Sequence, residues 1–203
     1  EPVLSFRNRL SILLLGKPSV IPHRYNNPAM YQTVQTQVRA VLGEEVEVII
    51  DSSKTLARLI EIKERSQSDV YVIHLIRDVR GVVNSNRKLG KKILPSIKYW
   101  LTDNLYASRY LQKSVPKHKQ MRIHYEDFVL DTEKYIQRLN SEVGLVINPE
   151  LLVENINKQE SYRFAGNGMR KKEFTGIKKD EKWRTELPFL YRRLLAPLNF
   201  LFR

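Results

Sequence analysis

The spacing of apolar residues along this chain predicts an α/β protein. Short, mostly apolar runs typical of buried strands occur at 46–50, 69–76 and 121–125. Apolar residues at three- and four-residue spacing predict helices at 54–65, from 78 onward, at 95–112 and at 131–143. This alternation of strands and helices is typical of parallel strands that are joined by helical crossovers.

Capping residues and loop composition refine this picture. Asp78 is well placed to cap the helix that follows the second strand, and Gly144 to end the helix 131–143. The region 158–182 is polar, basic and glycine-bearing, which predicts a long functional loop. We see no internal repeat and no linker, so we expect a single domain over 1–203, with a parallel sheet flanked by helices.

Composition narrows the classes of partner. Among the 203 residues, 35 Lys and Arg stand against 22 Asp and Glu, a net charge of +13. Such a surface favours a nucleotide, a nucleic acid, an acidic glycan or an anionic membrane, unless the charge serves solubility alone. The chain has no cysteine, which excludes a disulfide scaffold and favours the cytoplasm; the Golgi lumen stays open if an N-terminal anchor precedes residue 1.

Two further site classes are disfavoured. The four histidines lack metal-ligand spacing, so no metal is expected, and no apolar run approaches the roughly 18 residues of a membrane-spanning helix.

The C-terminal run 187–202 is apolar, with Arg192 and Arg193 interleaved. We expect it to dock on the core, because Pro188 and Pro197 interrupt a continuous amphipathic face; the alternative is a membrane-surface segment.

The second strand leads into the most informative motif. Arg77 follows the apolar run, and Ser85 stands eight positions later on the predicted helix. Ligands of open parallel sheets bind at the carboxyl ends of the strands, where a helix N-terminus offers N–H groups and partial positive charge. The fork of donors on Arg fits phosphate oxygens. The pair therefore predicts a clamp for one phosphate group.

A second turn carries Asp51, Ser52, Ser53 and Lys54, after the predicted strand 46–50. It would lie beside the Arg77 turn if the two strands are neighbours. Lys54 could neutralise charge on a ligand. Asp51 could accept a hydroxyl proton, or it could support the start of a helix, which is the interpretation we favour for it.

These turns, together with two later segments, resemble PAPS-dependent sulfotransferases of the carbohydrate-type and bacterial branch. One later segment is 121–128, which ends with Tyr125, Glu126, Asp127 and Phe128. The other begins with Gly166, Asn167, Gly168, Met169 and Arg170 and continues to Ile177, Asp180 and Trp183. The resemblance runs from about residue 46 to the C-terminus and rests on the order of four short motifs.

The resemblance implies a P-loop-NTPase-like sulfotransferase fold and transfer of a sulfuryl group from PAPS, as co-substrate, to an acceptor hydroxyl or amine. The acceptor would be a carbohydrate or a small molecule, and the reaction would need no metal. Lys54 and Asp51 would be catalytic. From their residue types, we expect Glu126 and Asp127 to act structurally, by capping a helix or pairing with a basic residue, and Trp183 to pack in the core. The nucleotide would be bound by Arg77, Ser85, Tyr125, Gly166, Asn167 and Arg170, with Tyr125 near the adenine or, alternatively, packed in the core.

One expected element is missing from the pattern. The family begins with a strand and a loop that cradles the 5′-phosphosulfate, whereas the Gly16–Lys17 pair lacks the preceding glycine of a P-loop and is followed by Pro18. We therefore expect a sulfotransferase domain that is incomplete at its N-terminus. The alternatives are a non-catalytic sulfotransferase-like protein and a basic nucleic-acid-binding module.

Overall fold

The computed structural model of the protein describes residues 4–21, 48–66, 68–151 and 176–203, together with the helical positions 33, 36, 37, 39 and 40. The strands are β1 (Val72–Ile76) and β2 (Gln120–His124). The α-helices are α1 (Phe6–Leu15), α2 (Leu56–Arg65), α3 (Val79–Lys88), α4 (Ile93–Ser114), α5 (Tyr125–Leu130), α6 (Thr132–Val143), α7 (Trp183–Glu186) and α8 (Phe189–Leu195). Short 3₁₀ helices lie at Lys117–Lys119, Pro149–Leu151 and Ala196–Phe202.

The two strands pair side by side in a small parallel sheet, and α3 and α4 form the crossover between them. Each strand buries alternate side chains, Val72 and Ile76 on β1 and Met121 and Ile123 on β2. The predicted α/β class, with a parallel sheet and flanking helices, is confirmed.

The strand predicted at 46–50 is wrong in its described part. Val48, Ile49 and Ile50 lie outside any strand and expose their side chains, while positions 46 and 47 lie outside the described residues. β-branched residues favour a strand only when a neighbour supplies hydrogen bonds and a packing surface. Within the described ranges, no strand pairs with this segment.

The chain divides into two compact units. The first comprises Glu1–His74 and Lys92–Met121. Its core joins α1, α2, β1 and α4 through Ile12, Ile60, Val72 and Tyr110. The guanidinium of Arg109 on α4 donates to a backbone carbonyl of α1 at 3.0 Å, which ties these two helices together at their polar edge.

The second unit comprises Leu75–Lys91 and Arg122–Arg203, and α3 contacts α7, α8 and the last 3₁₀ helix. Glu186 anchors α7 to α3, because its carboxylate accepts hydrogen bonds from Asn84 at 2.6 Å and from Lys88 at 2.8 Å. Elsewhere in this unit, Gly144 ends α6 with a φ of 75°, as its predicted capping position requires. No described helix combines the length and the apolar character that crossing a membrane demands.

Candidate functional site

Arg77 stands directly after β1 and is held from two sides. One of its terminal nitrogens donates to a carboxylate oxygen of Asp180 at 2.8 Å. Its guanidinium carbon lies 5.0 Å from the centre of the Tyr125 ring, which is a cation–π contact. The side chain keeps 28% of its surface exposed, so the guanidinium is oriented by protein contacts and still open to solvent.

A glycine on α3 makes room for this guanidinium. An added Cβ at Gly81 would lie 3.0 Å from Nε and 3.2 Å from an Nη of Arg77, closer than ordinary contacts. Ser85 is exposed and stands one helical turn beyond Gly81, so the two positions share a helix face. Arg77 therefore lies against the face of α3 that also carries Ser85, and the phosphate clamp formed by the two residues stays a prediction.

Tyr125 begins α5 immediately after β2. Its hydroxyl donates to the carbonyl of Lys178 at 3.2 Å and accepts from the N–H of Asp180 at 3.3 Å. These bonds satisfy the hydroxyl within the protein, and the ring also supports Arg77. Its predicted position near an adenine stays a prediction. Asp180, which the sequence had placed only in a loop motif, is thus bound both to Tyr125 and to Arg77.

The charge of Asp180 follows from these contacts. Partial burial acts to raise the pKa of its carboxyl group, but the N–H of Lys182 and the guanidinium of Arg77 outweigh it and lower the pKa. Asp180 is therefore an anion at neutral pH. Because a guanidinium carries five N–H donors in a planar fork, it can bind one carboxylate and one phosphate together.

The start of α3 corrects one expectation. The N–H of Asp78 donates to Glu126 at 3.0 Å, that of Val79 to Asn199 at 2.9 Å, and that of Arg80 to the carboxylate of Asp78 at 2.8 Å. These three amides are therefore already engaged within the protein, so we expect side chains to contribute most of the anion binding here. Glu126 thus serves the start of α3, a partner that its position in the sequence did not indicate, and no local pattern pointed to Asn199 either.

Trp183 lies beside this helix start and is buried, as expected. The guanidinium of Arg80 covers its ring at 3.9 Å and also bonds to Asp78. Partial burial acts to raise the pKa of the Asp78 carboxyl, but the bonds and charge of Arg80 and a bond from Asn199 lower it. The ion pair between Arg80 and Asp78, together with the Trp183 ring, holds the start of α3 next to Arg77.

The catalytic candidates Asp51 and Lys54 lie in the first unit, before α2. Asp51 accepts the N–H of Ser53 at 2.8 Å and the guanidinium Nε of Arg58 at 3.3 Å. Partial burial acts to raise its pKa, but these partners lower it, and a carboxylate with a lowered pKa is a weaker base. The geometry thus favours the structural role for Asp51. Lys54 is exposed.

The remaining candidates Gly166, Asn167 and Arg170 lie outside the described residues. Their part in nucleotide binding stays a prediction.

Comparison with solved structures finds a similar chain, the sulfotransferase domain from the curacin biosynthetic pathway. The match covers 98% of this chain and 81% of that chain, with a TM-score of 0.53 and 16% sequence identity. Known protein families and curated proteins give no match to this sequence. At this identity the likeness concerns the fold, and the predicted sulfotransferase-like fold is confirmed.

Proposed function

We propose that the protein is a sulfotransferase, which moves a sulfuryl group from PAPS to a hydroxyl or amine of a carbohydrate or small molecule. The observation that carries this proposal is the placement of Arg77. It stands at the carboxyl end of a parallel strand, over Tyr125 and against Gly81, in a chain of sulfotransferase-like fold. The order of the four sequence motifs supports the same assignment.

The donor set around Arg77 fits the 3′-phosphate of such a nucleotide. The guanidinium is already oriented by Asp180 and Tyr125, so little side-chain freedom is lost when a phosphate binds. Ser85 offers a hydroxyl on the same helix face. By the family resemblance, Arg170 and the backbone at Gly166 and Asn167 would complete this subsite.

PAPS would supply the activated sulfuryl group, and Lys54 would stabilise the negative charge that develops as it is transferred. We place Lys54 ahead of Asp51 as a catalytic residue. The carboxylate of Asp51 is engaged by Ser53 and Arg58, which leaves it a poor base in this arrangement.

Calorimetry with three nucleotides tests the proposal. Adenosine 3′,5′-bisphosphate should bind about tenfold to hundredfold more tightly than 5′-AMP, since charge-assisted hydrogen bonds to one phosphate contribute about 1.5–3 kcal/mol. Adenosine 2′,5′-bisphosphate is the matched control, because it carries the same charge at the wrong position. Equal affinity for the two bisphosphates would show that charge alone governs binding and would exclude a 3′-phosphate subsite.

The net charge of +13 supports a second candidate, a basic nucleic-acid-binding module. If the sulfotransferase proposal is correct, duplex DNA binds weakly and only at low salt, through non-specific phosphate contacts that release counterions. Sequence-selective binding near physiological salt would favour the module instead.

A further inference from the structure

The C-terminal segment has an unusual combination of apolar and basic residues. Residues 187–203 contain no Asp or Glu, whereas Arg192, Arg193 and Arg203 are interleaved with leucines and phenylalanines. The segment forms α8 and the 3₁₀ helix Ala196–Phe202, with Pro188 just before the first and Pro197 at the start of the second. The prolines thus lie at helix starts, where their missing N–H is tolerated.

Only part of this segment docks on the second unit. Leu195 and Phe202 are buried, as the predicted core docking requires. Large side chains on the same two helices are 60–71% exposed, and we call them the C-terminal apolar surface. It consists of Phe189, Leu190, Leu194, Phe200 and Leu201. Large exposed apolar side chains concentrated on one short segment are typical of an interaction site rather than of an ordinary solvated surface.

Guanidinium groups lie against the aromatic members of this surface. Arg193 approaches the ring of Phe189 at 4.8 Å, and Arg203 approaches that of Phe200 at 5.8 Å. Arginines placed beside exposed aromatic and aliphatic side chains suit a boundary between a hydrocarbon layer and phosphate groups, because the stems can stay in apolar contact while the heads reach the phosphates.

We propose that the C-terminal apolar surface docks the protein on membranes that contain anionic phospholipids. The apolar side chains would enter the acyl boundary, and the arginines would bind headgroup phosphates. The charge of the segment favours this occupant over a second copy of the chain. Two copies paired through this surface would bring positive charges together with no acidic residue from 187–203 between them.

Vesicle co-sedimentation with the full chain tests this. The wild-type protein should bind vesicles of phosphatidylcholine with 30% phosphatidylserine and should bind pure phosphatidylcholine much less. Replacing both Leu190 and Leu194 with Gln should weaken binding at least tenfold. Leu130→Gln is the control, because Leu130 on α5 is 71% exposed, compared with 64% for Leu190 and 62% for Leu194. This variant should bind vesicles like the wild-type protein.

A second set of variants tests how the positive charge of the segment contributes to vesicle binding. Arg193→Glu combined with Arg203→Glu should reduce binding to the anionic vesicles at least 25-fold, at about fivefold for each lost basic residue. The pair Lys91→Glu and Lys92→Glu makes the same change of charge at exposed positions outside the segment and should have a smaller effect.

The nucleotide calorimetry and the melting temperature should be unchanged in the two leucine substitutions, which separates this proposal from the proposed enzyme activity. Failure of the wild-type protein to bind the anionic vesicles would overturn the membrane proposal. Equal losses of vesicle binding in the variants of the segment and in their controls would also overturn it. Concentration-dependent dimerisation that the leucine substitutions abolish, without vesicle binding, would assign the surface to a second copy.

Discussion

Replacing Arg77 by Ala separates a binding role from a structural one. The ion pair with Asp180 joins partly exposed side chains, 28% and 41%, and such pairs contribute about 0.2–1 kcal/mol to stability. The contact with the Tyr125 ring adds about 0.5–1 kcal/mol at an exposed site. Together they amount to about 0.7–2 kcal/mol, so we expect the melting temperature to fall by about 1–8 °C and the protein to stay folded.

The loss in binding should be larger and selective. Removing the charge-assisted bonds to a 3′-phosphate should weaken adenosine 3′,5′-bisphosphate by about tenfold to hundredfold, while the affinity for 5′-AMP should change little. Arg77→Lys keeps the charge but not the planar fork, so its affinity should lie between those of Arg77→Ala and wild type.

Calorimetry with both nucleotides, together with thermal melting, measures the two effects. Arg138→Ala is the control, since Arg138 pairs with Glu142 on its own helix, α6, and its loss changes the net charge equally. An unchanged bisphosphate affinity in Arg77→Ala, or an equal fall for both nucleotides, would refute the phosphate assignment and leave Arg77 a structural residue.

Other predictions concern the surroundings of this site and the second turn. Gly81→Ala should change the melting temperature little, because the helix preference of alanine, about 1 kcal/mol, offsets the contacts that Arg77 loses when its guanidinium is pushed aside. Its bisphosphate affinity should fall severalfold, and an unaltered calorimetric affinity would contradict this. Lys54→Ala should lower kcat more than it raises KM for PAPS in steady-state kinetics, and intact turnover would show that this turn is only structural. The pKa of Asp78 is lowered in the folded protein, so its pair with Arg80 stabilises the fold above the unfolded pKa of about 3.9, and this stabilisation is lost as pH falls through the folded pKa. In chemical denaturation below pH 4, the free energy of unfolding should therefore fall less steeply with pH in Asp78→Asn than in the wild-type protein.

Local features of this molecule could be predicted from the sequence. The helical spacing of apolar residues depends on positions only a few residues apart, and so do the start of α3 at Asp78 and the end of α6 at Gly144. The structure agrees with these predictions. The end of β1 was predictable for the same reason, and with it the position of Arg77 at a strand terminus.

The tertiary structure alone decided which partners these residues have. Asp180 is 103 positions from Arg77, and Asn199 is 120 positions from Val79, so no local pattern could pair them. The segment 48–50 failed as a strand for the same reason, since β-branched residues form one only where the fold provides a partner. Helix ends and the helical spacing of apolar residues are set by neighbours along the chain. Ion pairs, strand pairs and exposed surfaces instead depend on which distant segments the fold brings together.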